Sequence, residues 1–512
     1  DAAAADDAFQ KAIAADPADH AARVALARLR LRRGDAAGAV AVLDPVAGSA
    51  AKDRDVAEAR ITALAQAGRV LDATQLAQAA LAANPGEPAL LLAQAAVLEV
   101  GDDPQHAVPL YEQAAARVPD DWRPQLGIGR LALARGDLGT AARALAAAVE
   151  KGPDRPETHA GLASLRLAQG DAAGAEAEFE AALARDAEFA PAQLGLAKLA
   201  LARGDEAGGR LALQRALAVE PRAAEAQLLL GTLLWKGGDV AGAEKAFQAA
   251  SDARPKDAVA LARLGATRLE GGNAAGALKP LQAAAELDPK LAEAQHWLGR
   301  ALLAGGESQA AVARLKRATE LEPANAQHLL HLGIALERSA ALVEAVEAYR
   351  AAAKADPTLV AANEHVAALF AANGRYEEAL AAYRAALAVA PRSAPLRVGQ
   401  ADCLAKLGRH GEAVRIYQDV LRAEPQRADV PYRLARALHE GEGVAAALPW
   451  YERAARAEQD NPMPHYYLGY AFKVRGQRSR AIQEFKAYLA RKPDADDRKD
   501  IEAEIEDLGG TP

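Results

Sequence analysis

The sequence predicts an all-α protein built as a solenoid of antiparallel helix pairs with a 34-residue period. Three observations support this prediction: 138 of the 512 residues are alanine, prolines recur in steps of 34, and glycines recur with the same step. Alanine is the best helix former and buries little surface, so this composition favours closely packed helices over one large aromatic core. A fixed period of about 20 to 50 residues is typical of repeat architectures.

In eleven of the fourteen periods a glycine follows the first helix, which predicts a left-handed turn between two helices. This ladder consists of Gly34, Gly68, Gly136, Gly170, Gly204, Gly238, Gly272, Gly306, Gly374, Gly408 and Gly476, with Asp102, Ala340 and Glu442 at its gaps. The second helix carries a small residue and, four positions later, a large apolar one, as in Ala311 and Leu315. The two residues lie on one helix face, so the pair of helices, each of roughly a dozen residues, is expected to approach closely there.

A proline ends most second helices, because it has no amide hydrogen and restricts the residue before it. The ladder consists of Pro17, Pro85, Pro119, Pro153, Pro221, Pro255, Pro289, Pro323, Pro357, Pro391, Pro425 and Pro493. Ala51, Ala187 and Gln459 stand at its gaps. The phase is unbroken along the whole chain, which predicts one continuous array.

This pattern resembles the tetratricopeptide repeat (TPR) family. Residues 292–323 carry its motif as Leu298-Gly299, Gly306, Ala311, Leu315, Ala318 and Pro323, and residues 463–493 carry it again. The family's usual first-helix tryptophan is most often replaced, for example by Gln193, Gln227, Gln295 and His465. The resemblance covers essentially the whole chain. It implies a right-handed superhelix whose first helices line a concave groove.

The phase divides the chain into three parts. Residues 20–495 are predicted to form fourteen complete repeats, beginning at 20, 54, 88, 122, 156, 190, 224, 258, 292, 326, 360, 394, 428 and 462. Residues 1–19 fit the second helix of an incomplete repeat, so we expect the natural chain to continue upstream of Asp1. Residues 496–512 are predicted to be a capping helix and tail, with Ile501, Ile505 and Leu508 on one face.

Charge and composition exclude several classes of protein. The chain has 61 basic and 69 acidic residues and no strongly basic segment, so we expect no nucleic-acid binding. No apolar run is long enough to span a membrane, although a lipid anchor upstream remains compatible with the sequence. The single cysteine, Cys403, excludes an intrachain disulfide and is expected to be an inert core residue.

No catalytic or cofactor-binding motif stands out, and the chain is predicted not to be an enzyme. The glycine pairs at 237–238, 271–272 and 305–306 all fall at inter-helix turns and are not interpreted as phosphate loops. His328 and His331 have the spacing of metal ligands on a helix, but no third ligand is evident nearby in sequence. We therefore expect no metal and no cofactor.

By resemblance, first-helix positions 2, 5, 9, 12 and 13 of each repeat face the groove. The partner-binding residues predicted from these positions are Trp235, His296, Arg300, Tyr432, Arg436, His439, Tyr466, Tyr470 and Lys473. Nine of the 22 aromatic residues lie between 428 and 495. Tyr432 and Tyr466 share one position in adjacent repeats and are expected to lie side by side, edged by Arg436 and Lys473. Such a shelf suits an extended acidic or aromatic peptide; the competing interpretation is extra packing of the terminal repeats.

These features predict a non-enzymatic scaffold that binds peptide or protein partners in its groove. The alanine-rich composition, with arginine exceeding lysine, is typical of high-GC bacteria, and long bacterial arrays of this kind resemble scaffolds of exopolysaccharide secretion, pilus or motility machines. The periplasm or outer membrane is the favoured location and the cytoplasm the second. Two alternatives stay open: the recognition arm of an enzyme whose catalytic domain lies outside these residues, and a cytoplasmic adaptor or co-chaperone. The latter would require a Lys/Asn/Arg cluster in consecutive first helices, and no asparagine is suitably placed.

Overall fold

The computed structural model describes residues 2–49, 53–101 and 103–512, and these ranges contain helices and turns but no strand. The prediction of an all-α solenoid is confirmed. Two gap positions of the sequence ladders, Ala51 and Asp102, lie outside the described residues. The chain forms two compact units, Asp1–Leu287 and Asp288–Pro512.

The first unit contains α1 to α17 and one 3₁₀ helix. Their bounds are α1 (Ala2–Ala15), α2 (His20–Arg32), α3 (Ala36–Leu43), the 3₁₀ helix (Asp44–Ser49), α4 (Arg54–Gln66), α5 (Val70–Ala83), α6 (Pro88–Val100), α7 (Pro104–Arg117), α8 (Arg123–Ala134), α9 (Leu138–Lys151), α10 (Pro156–Ala168), α11 (Ala172–Arg185), α12 (Ala190–Ala202), α13 (Glu206–Val219), α14 (Ala224–Lys236), α15 (Val240–Ala253), α16 (Ala258–Glu270) and α17 (Ala274–Leu287).

The second unit contains α18 to α30. Their bounds are α18 (Ala292–Ala304), α19 (Ser308–Leu321), α20 (Ala326–Arg338), α21 (Leu342–Ala355), α22 (Val360–Ala372), α23 (Tyr376–Val389), α24 (Ala394–Lys406), α25 (His410–Ala423), α26 (Val430–Glu442), α27 (Val444–Ala457), α28 (Met463–Val474), α29 (Arg478–Arg491) and α30 (Arg498–Asp507).

Each helix packs chiefly against the helices next to it in sequence. The even-numbered helices α2 to α28 are the first helices of the pairs, and several of them also contact the next first helix. Examples are α4 with α6 and α8 with α10 in the first unit, and α22 with α24 and α24 with α26 in the second. At these places neighbouring first helices therefore lie side by side and form a wall.

The glycine between the two helices of a pair adopts the predicted left-handed conformation. Gly306 has φ 82°, and the other glycines of this ladder have φ between 71° and 82°. At one gap of the ladder Ala340 takes the same conformation, with φ 62°, as the one non-glycine residue with positive φ in the described ranges. At the other described gap the turn moves by one residue, from Glu442 to Gly443.

The close approach within a helix pair depends on residues without bulk. Ala311 and Leu315 are both fully buried, as predicted for the second helix. A β-carbon on Gly299, in the facing first helix, would overlap the Leu315 side chain. The Leu-Gly motif of the first helix therefore leaves the space that the large second-helix residue fills.

The second helix α3 is shorter than expected. It has eight residues and continues as a 3₁₀ helix from Asp44, so the expectation of roughly a dozen residues is wrong at this place. Pro45 explains the change, because it cannot donate the backbone hydrogen bond that would extend the helix.

The last helix, α30, packs against α29. Its residues Ile501 and Ile505 are fully buried, whereas Leu508 is only partly so. Across the described ranges, no helix has both the length and the apolar character that a bilayer crossing needs.

Candidate partner-binding surface

The hydroxyls of tyrosines on the second helices contact polar residues on the first helices. The hydroxyl of Tyr111 donates to Glu99 at 3.0 Å, and that of Tyr349 donates to Glu337 at 2.6 Å. The Tyr451 hydroxyl lies 3.1 Å from Nδ1 of His439. In each case the partner lies twelve residues earlier, at position 12 of the same repeat. Because a buried hydroxyl needs a hydrogen-bond partner, His439 acts as the partner of Tyr451 in its own repeat.

Four tyrosines on α26 and α28 form a partly exposed group, which we call the tyrosine shelf: Tyr432, Tyr466, Tyr467 and Tyr470. Tyr467 is its centre. Its ring stacks on the buried Tyr451, with centroids 5.1 Å apart and planes 12° apart. It also lies 6.4 Å from Tyr432 and 5.3 Å from Tyr466. The ring of α28 beside Tyr432 is therefore Tyr467, and the expectation that Tyr432 and Tyr466 lie side by side is corrected.

A regular register explains the role of Tyr467, which was not among the predicted site residues. The large second-helix side chain of one repeat meets the residue sixteen positions later, on the next first helix. Tyr349 stacks on His365 at 4.7 Å in this way, and Tyr383 lies against Gly399. Tyr451 and Tyr467 are separated by the same sixteen residues, so this spacing could have identified the contact.

The shelf is also part of the packing at this end of the second unit. The ring of Tyr466 lies 5.3 Å from that of Tyr488, and the ring of Tyr470 lies 5.0 Å from that of Phe485. Burial raises the pKa of Tyr470 to about 12. The Tyr488 hydroxyl donates to Asp497 at 2.7 Å. The structure shows the packing contacts of these tyrosines, and partner contact through their exposed faces stays a prediction.

The two cations predicted to edge the shelf both have acidic partners. Arg436 forms an ion pair with Glu440 on its own helix, and Lys473 forms one with Glu504 of α30. Arg436 also donates to the Tyr467 hydroxyl at 2.9 Å, with its guanidinium 5.2 Å from the centre of that ring. Arg436 and Lys473 therefore edge the shelf as members of ion pairs that carry no net charge.

Three predicted site residues lie away from the shelf. In the first unit, Trp235 donates from Nε1 to Glu270 at 2.6 Å, and its ring meets Phe247 edge to face. In the second unit, the Arg300 guanidinium lies 4.2 Å from the centre of the Trp297 ring. The third, His296, belongs to a separate cluster.

His296 is 6% exposed, which corrects its assignment to an accessible groove surface. Its ring lies 4.6 Å from that of His328 and 4.9 Å from that of His331. Burial, followed by His331, His328 and Arg300, lowers the pKa of His296 to about 2. The fold thus brings a third histidine to the pair singled out in the sequence. Even so, no three potential ligands are arranged for a metal ion within the described ranges.

A cavity of about 430 Å³ opens between α22, α24 and α26, next to the shelf. We call it the Ala371 pocket. Its walls include the rings of Tyr383, Tyr417 and Tyr432, together with the small residues Ala371, Gly399 and Ala405. It shares Tyr432, Arg436 and Glu440 with the surroundings of the shelf, so the two form one continuous surface. Tyr432 and Arg436 of the predicted site line this pocket, but the prediction did not include the alanines or Tyr383.

Two residues of α24, Asp402 and Cys403, also line the pocket. Asp402 accepts a hydrogen bond from the Tyr417 hydroxyl at 2.5 Å and pairs with Arg433. Burial raises the pKa of Asp402, although Tyr417 and Arg433 oppose this effect. Burial also raises the pKa of the Cys403 thiol to about 11. Cys403 is buried, as predicted, and a raised pKa disfavours the thiolate, which is the reactive form.

The geometry defines a helical-repeat protein with partly exposed tyrosines on two of its first helices. Two family models described as tetratricopeptide repeat match the chain, one at residues 24–88, 160–218, 194–258, 228–292, 296–359 and 406–464, the other at 102–165 and 370–430. The first model alone covers more than half of the chain. The chain belongs to the tetratricopeptide repeat family, and its general role is that of a scaffold for protein–protein interaction.

Several solved structures are similar to parts of the chain. A MamA fragment from Desulfovibrio magneticus RS-1 is 23% identical over 33% of this chain and 96% of its own, with a TM-score of 0.30. YrrB, titled a TPR protein with an unusual peptide-binding site, is 22% identical over 36% and 95%, with a TM-score of 0.32. The C-terminal part of a TPR protein from Cytophaga hutchinsonii is 14% identical over 47% and 98%, with a TM-score of 0.43. Among curated protein sequences, none matches this chain significantly.

Proposed function

We propose that this chain is a non-enzymatic scaffold that holds extended peptide segments of its protein partners on the tyrosine shelf. The observation that carries the proposal is the position of Tyr432, Tyr466, Tyr467 and Tyr470 on first helices, where all four remain partly exposed. Tyrosine is enriched at binding hot spots, because it offers a large apolar face, few rotatable bonds and a hydroxyl. The packing of their other faces holds these rings in place before a partner arrives, which reduces the entropy lost on binding.

We further propose that the scaffold belongs to a bacterial cell-envelope machine, such as those of exopolysaccharide secretion, pilus assembly or motility. The support is compositional: the chain is alanine-rich, prefers arginine to lysine, and contains one cysteine, which is buried. A chain without a disulfide or a reactive thiol is compatible with an oxidising compartment. Fractionation of the source bacterium tests this part, and recovery of the full chain only from the cytosol contradicts it.

Partner capture tests the shelf. The double substitution Tyr432→Ala and Tyr466→Ala removes one ring from each of the two first helices of the shelf. We expect it to weaken partner binding about 30-fold or more, since a tyrosine anchor typically contributes at least about 2 kcal/mol. Trp450→Ala is the matched control, because Trp450 is a partly exposed aromatic of the same region that lies on the second helix α27. Equal capture by wild type and the double variant would contradict the shelf as the binding site.

A further inference from the structure

The Ala371 pocket lies where two successive repeats lack leucine, the most frequent residue at position 12 of the first helix. Position 12 of the first helix is leucine in six repeats: Leu31, Leu133, Leu167, Leu201, Leu269 and Leu303. The repeats beginning at 360 and 394 carry Ala371 and Ala405 instead, and no other two successive repeats both have alanine there. Both alanines line the cavity. The missing side-chain volume is therefore concentrated at one point of the wall of first helices.

Among the described residues, Tyr383 lacks the hydrogen bond that other tyrosines at the same second-helix position make. Tyr111, Tyr349 and Tyr451 meet a polar residue twelve positions earlier, and Tyr417 donates to Asp402. For Tyr383 the residue twelve positions earlier is Ala371, which offers no acceptor. Within the described ranges the Tyr383 hydroxyl makes no hydrogen bond to protein, and the tyrosine itself lines the pocket. Because Tyr383 is partly exposed, either water or a bound molecule can supply the partner that the fold omits.

One cation of the pocket, Lys406, forms no close ion pair with any described residue, although its charge helps to lower the pKa of Glu440. Arg433 pairs with Asp402, and Arg436 pairs with Glu440. Lys406 lines the same pocket, is exposed, and forms no ion pair among the described residues. The five charged side chains thus sum to one positive charge, and the ammonium of Lys406 keeps its three donors available.

Resting on the proposed function, we infer that the Ala371 pocket is the specificity site for a bound peptide segment. It takes one aromatic side chain of the partner, and a carboxylate next to that residue in the peptide pairs with Lys406. The rings of Tyr383, Tyr417 and Tyr432 and the methyl groups of the two alanines form an apolar lining suited to an aromatic ring. Lys406 selects the carboxylate by charge complementarity, which favours specificity more than affinity.

The binding experiment uses three fluorescently labelled heptapeptides with blocked carboxyl termini, so that no terminal carboxylate contributes. The first has phenylalanine between two aspartates in a glycine background. In the second alanine replaces phenylalanine, and in the third asparagines replace both aspartates. Fluorescence anisotropy with the full chain is expected to show at least about 10-fold weaker binding of the second and third peptides. Equal binding of all three, or no binding of the first, overturns the inference.

Two variants link this preference to the pocket. Ala371→Leu with Ala405→Leu restores the leucines found at this position in other repeats, so the protein should fold with an unchanged or higher melting temperature and lose the phenylalanine preference. Lys406→Gln should abolish the preference for aspartate over asparagine, whereas Lys354→Gln, at an exposed lysine of α21, should keep it. A leucine variant that is folded and still prefers the first peptide overturns the inference.

Partner capture with the same variants separates the two proposals. If the leucine variant captures the wild-type partners while the shelf variant does not, the pocket inference fails and the scaffold proposal stands. If the shelf variant also captures them, the shelf proposal fails, and the peptide preferences alone decide the role of the pocket.

Discussion

A substitution at Ala340 can measure the free-energy cost of a left-handed backbone conformation in this fold. Ala340 has φ 62° at a place where eleven other repeats have glycine. An L-residue with a β-carbon loses about 1–2 kcal/mol in this conformation. Replacing it by glycine removes that strain but adds about 0.5–1 kcal/mol of unfolded-state entropy. Ala340→Gly should therefore stabilise the second unit by roughly 0.5–1 kcal/mol.

Gly306→Ala is the matched reverse substitution in the same unit. Gly306 has φ 82°, and a β-carbon there would have no atom within 4 Å, so the change tests the backbone alone. It should destabilise the unit by about the amount that Ala340→Gly gains. Urea unfolding of both variants, followed by circular dichroism, gives the two free-energy changes. Changes of the same sign, or a loss of stability in Ala340→Gly, would refute the assignment of strain to this turn.

Three further predictions follow from packing and charge. Ala311→Leu should lower the free energy of unfolding by about 1–3 kcal/mol, because the larger side chain overpacks the core. Ala313→Leu, at an exposed alanine of the same helix, should leave it almost unchanged. Equal shifts in the melting temperature would contradict the helix register. Ile505→Asp should place a charge in the buried contact of α30 and make the protein aggregate, whereas Glu506→Asp, at an exposed position, should not; light scattering after purification distinguishes them. The pKa of His296 lies near 2 and that of His331 near 4, below the unfolded value near 6.5. The unfolded chain therefore binds more protons, and the free energy of unfolding should fall as the pH falls from about 6.5 towards 4. The double substitution His296→Gln and His331→Gln should flatten this pH dependence in unfolding experiments, and an unchanged slope would contradict the prediction.

The helix pairs could be predicted because their signals repeat in a fixed phase. A glycine such as Gly306 and a proline such as Pro323 each act locally, through one backbone conformation or one missing hydrogen bond. Eleven glycines and twelve prolines in one register are a stronger signal than any single residue. The short helix α3 departs from this pattern because Pro45 introduces a local signal out of phase.

The binding surface was less predictable, because it depends on contacts between repeats. Family resemblance placed Tyr432 and Tyr466 on the wall of first helices, where they lie. It could not indicate that Tyr467 stacks on Tyr451, that Lys473 pairs with Glu504, or that His296 is enclosed by two other histidines. Each of these contacts joins different helices, and the second and third depend on which side-chain conformation fits the space between them. The Ala371 pocket was missed for another reason: it results from what two positions lack.

The pairing of second-helix tyrosines with position 12 has a consequence for how this protein can acquire new partners. In the repeats of Tyr349 and Tyr451, the groove residues Glu337 and His439 are tied to the core by a hydroxyl. A single exchange of that tyrosine for phenylalanine would remove the tie, and the groove residue could then turn towards a partner or mutate without leaving a buried hydroxyl unsatisfied. A substitution in the core can thus release a constraint on a groove residue before any residue of the groove itself changes. In such an array, recognition can change through its interior first.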